Sequence, residues 1–161
     1  MNYPQTEKSL SYLISSIVIP LLVGLIASLL TMQSMQQFST LNKPPLSPPA
    51  IIFPIVWTIL YTLMGIGFYL VTTSDGEKDD VEKAVKVYWL QLAVNFLWPT
   101  FFFNYQWYLF SLFWLVLLWV LVLIMIIRFE KVSKTAAYIN IPYMVWLTFA
   151  AYLNTAIFLL N

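Results

Sequence analysis

The side chains that most often carry enzyme chemistry are missing from this chain. It contains no histidine and no cysteine, so it lacks the usual general base, thiolate nucleophiles, disulfides and the common axial ligand of haem iron. Its 8 basic and 7 acidic residues leave four long runs of sequence without any charge. Metal sites and paired-carboxylate catalysis are therefore not expected there. The chemistry that remains is that of aromatic rings, amides, hydroxyls and thioethers.

Aromatic and amide side chains recur at helical spacing in three parts of the chain. They are Phe53, Trp57 and Tyr61; Gln91, Asn95 and Trp98; and Tyr143, Trp146, Ala150 and Asn154. Residues three or four apart lie on one face of a helix, so each set predicts one such face. These faces either pack against neighbouring helices or line a cleft, and a buried amide is more often a helix–helix hydrogen bond than a ligand contact. Spacing alone favours packing.

The elements that position these faces are predicted to be membrane-spanning helices. The chain is 61% apolar and 9% charged, which leaves too few charges for a water-soluble surface. Its uncharged runs cover residues 9–42, 44–74, 87–127 and 135–161, and the third is broken by Asn104-Tyr105-Gln106. Because about 20 helical residues cross a bilayer, that third run is long enough for two helices. We expect one all-α domain of five transmembrane helices, at about 10–31, 49–73, 82–103, 106–128 and 134–158.

Lysine and arginine in the loops predict the orientation of this bundle. With five spans, one side carries Lys8, Lys78, Lys83, Lys86, Arg128, Lys131 and Lys134. The other side carries Lys43 alone. Because basic loops stay in the cytoplasm, we expect the N-terminus inside and the C-terminus outside, in the plasma membrane. The net charge is only +1 and no basic patch is evident, so nucleic acid is not an expected partner.

Proline and small residues predict local features of the helices. Ser47, followed by Pro48 and Pro49, is typical of an N-cap that opens the second helix. Prolines inside four helices are expected to kink them and to leave a cleft; these are Pro20, Pro54, Pro99 and Pro142. Gly24 and Ser28, four residues apart, predict a contact between helices.

A proline-dense segment, at about residues 37–48, joins the first two predicted spans. Because proline restricts the backbone, such a segment loses little entropy when it becomes ordered. It is expected either to cover a cleft as a lid or to act as a plain linker.

Together these motifs resemble the bacterial members of the translocator protein family, also named after the peripheral-type benzodiazepine receptor or tryptophan-rich sensory protein. Lys43–Pro49 and Phe53–Gly65 resemble the first loop and second helix of that family. Gln91-Leu92 and Asn95–Pro99 continue the resemblance, which then extends from Pro142 to Asn154.

The resemblance implies a five-helix bundle, often dimeric, with a ligand cavity near the first loop. The family binds porphyrins and haem-related tetrapyrroles, and its animal members bind cholesterol and benzodiazepine-type or isoquinoline drugs. It implies ligand contacts from Trp57, Tyr61, Asn95, Trp98, Trp146 and Ala150, to which the aromatic faces add Phe53, Gln91, Tyr143 and Asn154. It implies a lid formed by Pro44, Pro45, Leu46, Pro48 and Pro49. Porphyrin or haem would be a ligand and not a covalently bound cofactor.

Three functions are open on this basis. The leading hypothesis is a membrane receptor or sensor for tetrapyrroles. The second is an enzyme, because some bacterial relatives degrade porphyrin in light, and Trp57 and Trp146 are the matching electron or hydrogen donors. The third is passive transport, since no charge inside the membrane is available to couple transport to an ion. Leu46 replaces the aromatic residue of many relatives, and the final helix lacks the basic residue of the sterol motif, so no specific sterol role is expected.

Overall fold

The computed structural model describes residues 9–34 and 40–161, and this part of the chain contains helices and no β-strand. The helices are α1 (Leu10–Thr31), α2 (Ile52–Thr72), α3 (Lys78–Pro99), α4 (Tyr108–Val132), α5 (Lys134–Tyr138) and α6 (Ile141–Leu160), with a π-helix (Thr100–Asn104) directly after α3. The predicted all-α class is confirmed for the described residues. Residues 37–39 of the predicted lid lie outside them, as does Lys8.

Four segments are long and apolar enough to cross a membrane, namely α1, α2, α4 and the α5–α6 pair. Large apolar side chains cover their outward faces. Leu22 on α1, Phe113 on α4 and Val145 on α6 are 48%, 67% and 64% exposed. Such continuous apolar faces are unfavourable in water and favourable in lipid. The chain therefore forms a helical membrane bundle.

The helix α3 is long enough but less apolar than these four segments, because charged residues occupy its first turns. They are Lys78, Asp79, Asp80, Glu82, Lys83 and Lys86. Lys83 pairs with Asp79 and Lys86 with Glu82, each one helical turn apart. The hydrogen bond from the Lys83 ammonium lowers the pKa of the Asp79 carboxyl. Asp79 and Asp80 lie in the first turn, where negative charge interacts favourably with the helix dipole.

The helix α4 packs against α3, α5 and α6. Its buried side chains are spaced three or four residues apart, which is the pattern of a helix with one inward face. They are Ser111, Leu115, Leu118, Val122, Met125 and Phe129. The helix α2 packs mainly along α1. At this crossing a Cβ atom added to Gly65 would lie 2.5 Å from the Ile17 Cα, so the two backbones are in direct contact.

The prediction of four kinking prolines is wrong for two of them. Pro20 lies inside α1, and Pro99 ends α3 where the π-helix begins. Pro54 and Pro142 instead lie in the first turns of α2 and α6. An N–H in the first turn has no intrahelical acceptor, so proline there removes no hydrogen bond and fits the helix start.

Candidate functional site

Aromatic rings of α2 and α6 meet between these two helices. The ring centroids of Phe53 and Trp146 are 6.0 Å apart, and those of Trp57 and Tyr143 are 6.2 Å apart, both in edge contacts. The Tyr61 ring lies 5.4 Å from Trp57, one turn further along α2. The structure thus brings together five of the predicted site residues. Hereafter the aromatic seam means Phe53, Trp57, Tyr143 and Trp146.

A chain of buried hydrogen bonds lies beside the aromatic seam and joins three helices. The Tyr61 hydroxyl donates to Asn95 Oδ1 at 2.8 Å, and Asn95 Nδ2 donates to the Tyr143 hydroxyl oxygen at 2.5 Å. That hydroxyl donates in turn to Gln91 Oε1 at 3.1 Å. Gln91 Nε2 reaches only the Met64 sulfur, at 3.9 Å. Hereafter the amide network means Tyr61, Gln91, Asn95 and Tyr143.

The amide network ties α2, α3 and α6 together. Each of its members is at most 6% exposed, and a buried polar group without a partner is costly. The amides of Gln91 and Asn95 therefore serve helix association in this structure, which is the alternative that the sequence left open for buried amides. Their predicted role as ligand contacts remains a prediction.

The two tryptophans of the aromatic seam have indole N–H groups that meet no hydrogen-bond acceptor in residues 9–34 and 40–161. Trp114 donates to the Val94 carbonyl at 2.8 Å, and Trp119 donates to Thr148 Oγ1 at 3.0 Å. Within the described residues, neither Trp57 nor Trp146 makes such a bond, and neither N–H is sealed in the protein interior. Both side chains are half-buried. They are therefore hydrogen-bond donors available to a molecule at the seam.

The remaining predicted ligand contacts differ in their surroundings. Ala150 is half-buried and follows Trp146 by one turn, so it lies beside the seam. Trp98 stacks on Phe102 at 5.2 Å, and its buried indole N–H has no acceptor among the described residues. Asn154 binds α4 instead: its Oδ1 accepts from Ser111 at 3.0 Å, and its Nδ2 donates to a main-chain carbonyl at 2.8 Å. The structure therefore places Asn154 in a separate contact.

The proline-dense segment forms a turn near one end of α6. Hereafter the strap means residues 42–49. The Ser47 N–H donates to the Pro44 carbonyl at 3.3 Å, and Leu46 has a φ of 71°, as at the third position of a type II turn. Pro44 is buried and Pro48 half-buried, whereas Pro45, Leu46 and Pro49 are exposed.

The prediction that Ser47 caps α2 is wrong. The helix begins at Ile52, and its N-cap, Ile51, offers no side-chain hydrogen bond. The Ser47 hydroxyl donates to the Pro44 carbonyl at 2.9 Å, because this acceptor is three residues away within the same turn. The serine therefore stabilises the strap and not the helix.

An open groove of about 710 Å³ lies elsewhere, at the strap end of α4 and α6. It is lined by Gln106, Trp107, Tyr108, Leu109, Phe110, Phe113, Phe158 and Asn161. None of these residues was a predicted ligand contact. Trp107, Phe110 and Phe113 are exposed aromatic residues near a helix end, where aromatic side chains commonly lie at the membrane–water boundary. We attribute the groove to this boundary.

Comparison with known proteins agrees with the resemblance seen in the motifs. Residues 16–160 match the profile of the TspO/MBR family. The tryptophan-rich protein TspO of Archaeoglobus fulgidus is 37% identical over 150 residues, which are 92% of this chain and 96% of that protein. The TspO of Chlorobaculum tepidum is 39% identical over 124 residues, 77% of this chain and 78% of its own length. The translocator protein of Homo sapiens is 34% identical over 125 residues, 76% of this chain and 73% of that protein. The chain belongs to the TspO/MBR family.

Proposed function

We propose that this protein is a membrane receptor or sensor that binds porphyrin or haem-like tetrapyrroles at the aromatic seam. The observation that carries the proposal is the pair Trp57 and Trp146, whose rings are half-buried and whose indole N–H groups bind no acceptor in the described part of the chain. A flat aromatic ligand stacks on such rings, and its carboxylates can accept hydrogen bonds from such donors. Drug-like isoquinolines and benzodiazepines present the same flat rings and carbonyl acceptors.

Ligand entry requires the seam to open, because the rings of Phe53 and Trp146 are in contact across it. The amide network holds α2, α3 and α6 together. We therefore expect Phe53 and Trp146 to rotate while the helices keep their places. The chain has no histidine, so it offers no imidazole to a haem iron. Metal-free protoporphyrin and haem should accordingly bind with similar affinity.

We also propose that α3 is the fifth span of the bundle. Residues 87–104 are uncharged, and they run from α3 into the π-helix without a break. Leu90 and Leu97 on α3 are exposed apolar residues that suit contact with lipid. With five spans, the basic loops lie at one end of the bundle and the strap at the other. The positive-inside rule then puts the N-terminus in the cytoplasm and the strap outside the plasma membrane.

The test is a titration of the purified protein with protoporphyrin in darkness, followed by tryptophan fluorescence. Wild-type protein should show saturable quenching. Trp146→Phe removes one hydrogen-bond donor and part of the ring surface, and Ala150→Phe fills the space beside it. Each should weaken binding about tenfold, which corresponds to about 1.4 kcal/mol.

Trp107→Phe is the matched control, because Trp107 is an exposed tryptophan of the open groove. It should leave the affinity unchanged. Equal affinity in wild-type protein, Trp146→Phe and Ala150→Phe would refute binding at the seam. Weaker binding in Trp107→Phe alone would place the ligand in the groove instead.

A second function, light-dependent porphyrin breakdown, is favoured by one feature of the same site. Trp57 lies within 6.2 Å of the rings of both Tyr61 and Tyr143, which are oxidisable neighbours. Illumination of the bound complex in air should then give a discrete porphyrin product that is absent from the variant with both Trp57→Phe and Trp146→Phe. If the product yield equalled that of protoporphyrin in empty micelles, light-dependent breakdown would be refuted and only the receptor function would remain.

A further inference from the structure

Two neighbouring segments at one end of the bundle carry opposite charge. Residues 75–86 contain five acidic and three basic residues, whereas residues 128–134 contain three basic residues and one acidic residue, Glu130. The two segments lie side by side, because α3 packs against α4 and a Cβ atom added to Gly76 would lie 3.1 Å from Val132 Cγ1. Opposite charges at such close range would be expected to pair with each other.

Within the described chain, however, no ion pair joins the two segments. The ion pairs that form lie inside α3 and are those of Lys83 with Asp79 and of Lys86 with Glu82. Hereafter the basic corner means Arg128, Lys131 and Lys134. None of its side chains makes an ion pair or a hydrogen bond with any residue in 9–34 or 40–161. Both lysines are exposed and the arginine is half-buried, so an anion from outside the protein can approach them.

The basic corner lies where two spans reach the same membrane surface. The helix α4 ends at Val132 and α5 begins at Lys134, and both α4 and the α5–α6 pair are long and apolar enough to cross a membrane. Tyr138, one helical turn after Lys134, is also exposed, and tyrosine is common at the level of the lipid head groups. The cations are therefore at the depth of the head groups.

A stripe of exposed apolar side chains on α4 leads directly to the basic corner. Hereafter the apolar stripe means Val120, Ile124 and Ile127. Lys131 follows at the same spacing of three to four residues, which puts it on the same face of the helix. From Val120 to Lys131 the helix rises about 16 Å, at about 1.5 Å per residue. One leaflet contributes about half of the ~30 Å hydrocarbon core, so an acyl chain fits along the stripe while its head group lies beside Lys131.

We propose that the basic corner binds the phosphate of an anionic phospholipid whose acyl chain lies along the apolar stripe. Phosphate supplies the negative charge that these cations do not receive from the described protein, and lysine and arginine commonly bind it. A soluble anion would engage only the cations. A phospholipid also covers the stripe, so the two features together favour the lipid. The site is on α4 and α5, apart from the aromatic seam, and does not depend on the function proposed there.

The experiment is native mass spectrometry of the purified protein in detergent, titrated with phosphatidylglycerol or with phosphatidylcholine of the same acyl chains. Both lipids have a phosphate, but the choline group neutralises it in the second. The ratio of the two Kd values for the first bound lipid therefore measures the preference for a net negative head group. Wild-type protein should bind phosphatidylglycerol about tenfold more tightly, since each cation near a membrane surface contributes about a fivefold gain at most.

The double variant Lys131→Gln with Lys134→Gln should lower this preference to about twofold or less. The matched control is Lys83→Gln with Lys86→Gln, which removes the same charge from the same end of the bundle but from lysines that are paired with acids of α3. It should leave the preference unchanged. Glu130→Gln removes the one carboxylate of the segment and should raise the preference about twofold.

Equal affinity of wild-type protein for the two lipids would overturn the proposal, as would an equal loss of preference in the two double variants. If the Lys131 and Lys134 variant failed to fold, Glu130→Gln would decide, and an unchanged preference there would count against the site. Glycerol 3-phosphate, the soluble part of the head group, is added in a further titration. Displacement of phosphatidylglycerol by an equal concentration of this anion would show that the acyl chain contributes nothing, and the assignment to a lipid would be wrong.

Discussion

The ring of Tyr61 on α2 lies directly against the α-carbon of Gly24 on α1. A Cβ atom added to Gly24 would lie 2.2 Å from Cε2 of that ring, so no other residue fits at this position without a shift. The same tyrosine donates to Asn95 in the amide network and packs against Trp57 in the aromatic seam. A glycine on α1 thus determines where two parts of the candidate site lie.

Gly24→Ala should push the Tyr61 ring away and break its hydrogen bond to Asn95. We expect the free energy of unfolding to fall by about 1–3 kcal/mol, as in other overpacked interiors, and protoporphyrin to bind more weakly because Trp57 shifts with Tyr61. Thermal unfolding in detergent and the fluorescence titration measure the two effects.

The control for this prediction is the same substitution in a Tyr61→Leu background, where the clash is absent. There Gly24→Ala should change the free energy of unfolding by less than about 0.5 kcal/mol, as is usual for a substitution that meets no packed side chain. An equal cost in both backgrounds would show that Gly24 acts through something other than the Tyr61 ring.

The sequence predicts the elements well because charge and length decide them. Each long helix lies mainly within an uncharged run, although α3 begins at Lys78, before its run. The polar break begins at Asn104, the last residue of the π-helix, and ends at Gln106, before α4. The sequence does not show which of two nearby backbone groups a side chain will bind. Ser47 binds the nearby Pro44 carbonyl and not the start of α2, because both arrangements satisfy the same hydroxyl and only the backbone conformation chooses between them.

Periodicity also shows which residues share a face, but not which helix that face meets. Tyr143 and Asn154 lie on nearly the same side of α6, eleven residues apart, at about 100° per residue. Tyr143 joins the amide network, whereas Asn154 binds Ser111 on α4. Packed helices cross at an angle, so one face meets different neighbours along its length. Helical spacing therefore predicts that Tyr143 and Asn154 share a face, but it does not predict that they contact different helices.

The five-span topology predicts opposite labelling of two single-cysteine variants. Leu46→Cys, in the strap, should react with a membrane-impermeant maleimide added to intact cells. Lys131→Cys, in the exposed last turn of α4, should react only after the cells are opened. If both sites reacted from outside, an even number of spans would separate the strap from the end of α4, and α3 would not cross the membrane.

The strap turn should become more stable when Leu46 is replaced by glycine. Leu46 has a φ of 71°, which costs a residue with a Cβ atom about 1 kcal/mol, and its exposed side chain has little packing to lose. Leu46→Gly should therefore raise the free energy of unfolding by about 0.5 kcal/mol after the entropy cost of glycine. Leu46→Val should lower it, since a β-branched side chain suits this conformation least. If chemical denaturation gave Leu46→Val a higher free energy of unfolding than Leu46→Gly, the assigned turn would be wrong.

The amide network should matter more for stability than for ligand affinity, whereas the seam tryptophans should show the reverse. Asn95→Leu removes the acceptor of the Tyr61 hydroxyl and the donor to the Tyr143 hydroxyl, which keeps its hydrogen bond to Gln91. Hydrogen bonds between membrane helices contribute about 0.6 kcal/mol each on average and about 1.7 at most. We therefore expect Asn95→Leu to lower the free energy of unfolding by about 1–2 kcal/mol and to weaken protoporphyrin binding less than Trp146→Phe does. Trp146→Phe loses no hydrogen bond within the described protein, so its free energy of unfolding should change little.

The comparison of Asn95→Leu with Trp146→Phe separates the two roles that the sequence left open for the buried amides. If Asn95→Leu weakened binding about tenfold while unfolding stayed unchanged, Asn95 would be a ligand contact, and the network would be the arrangement that the ligand replaces.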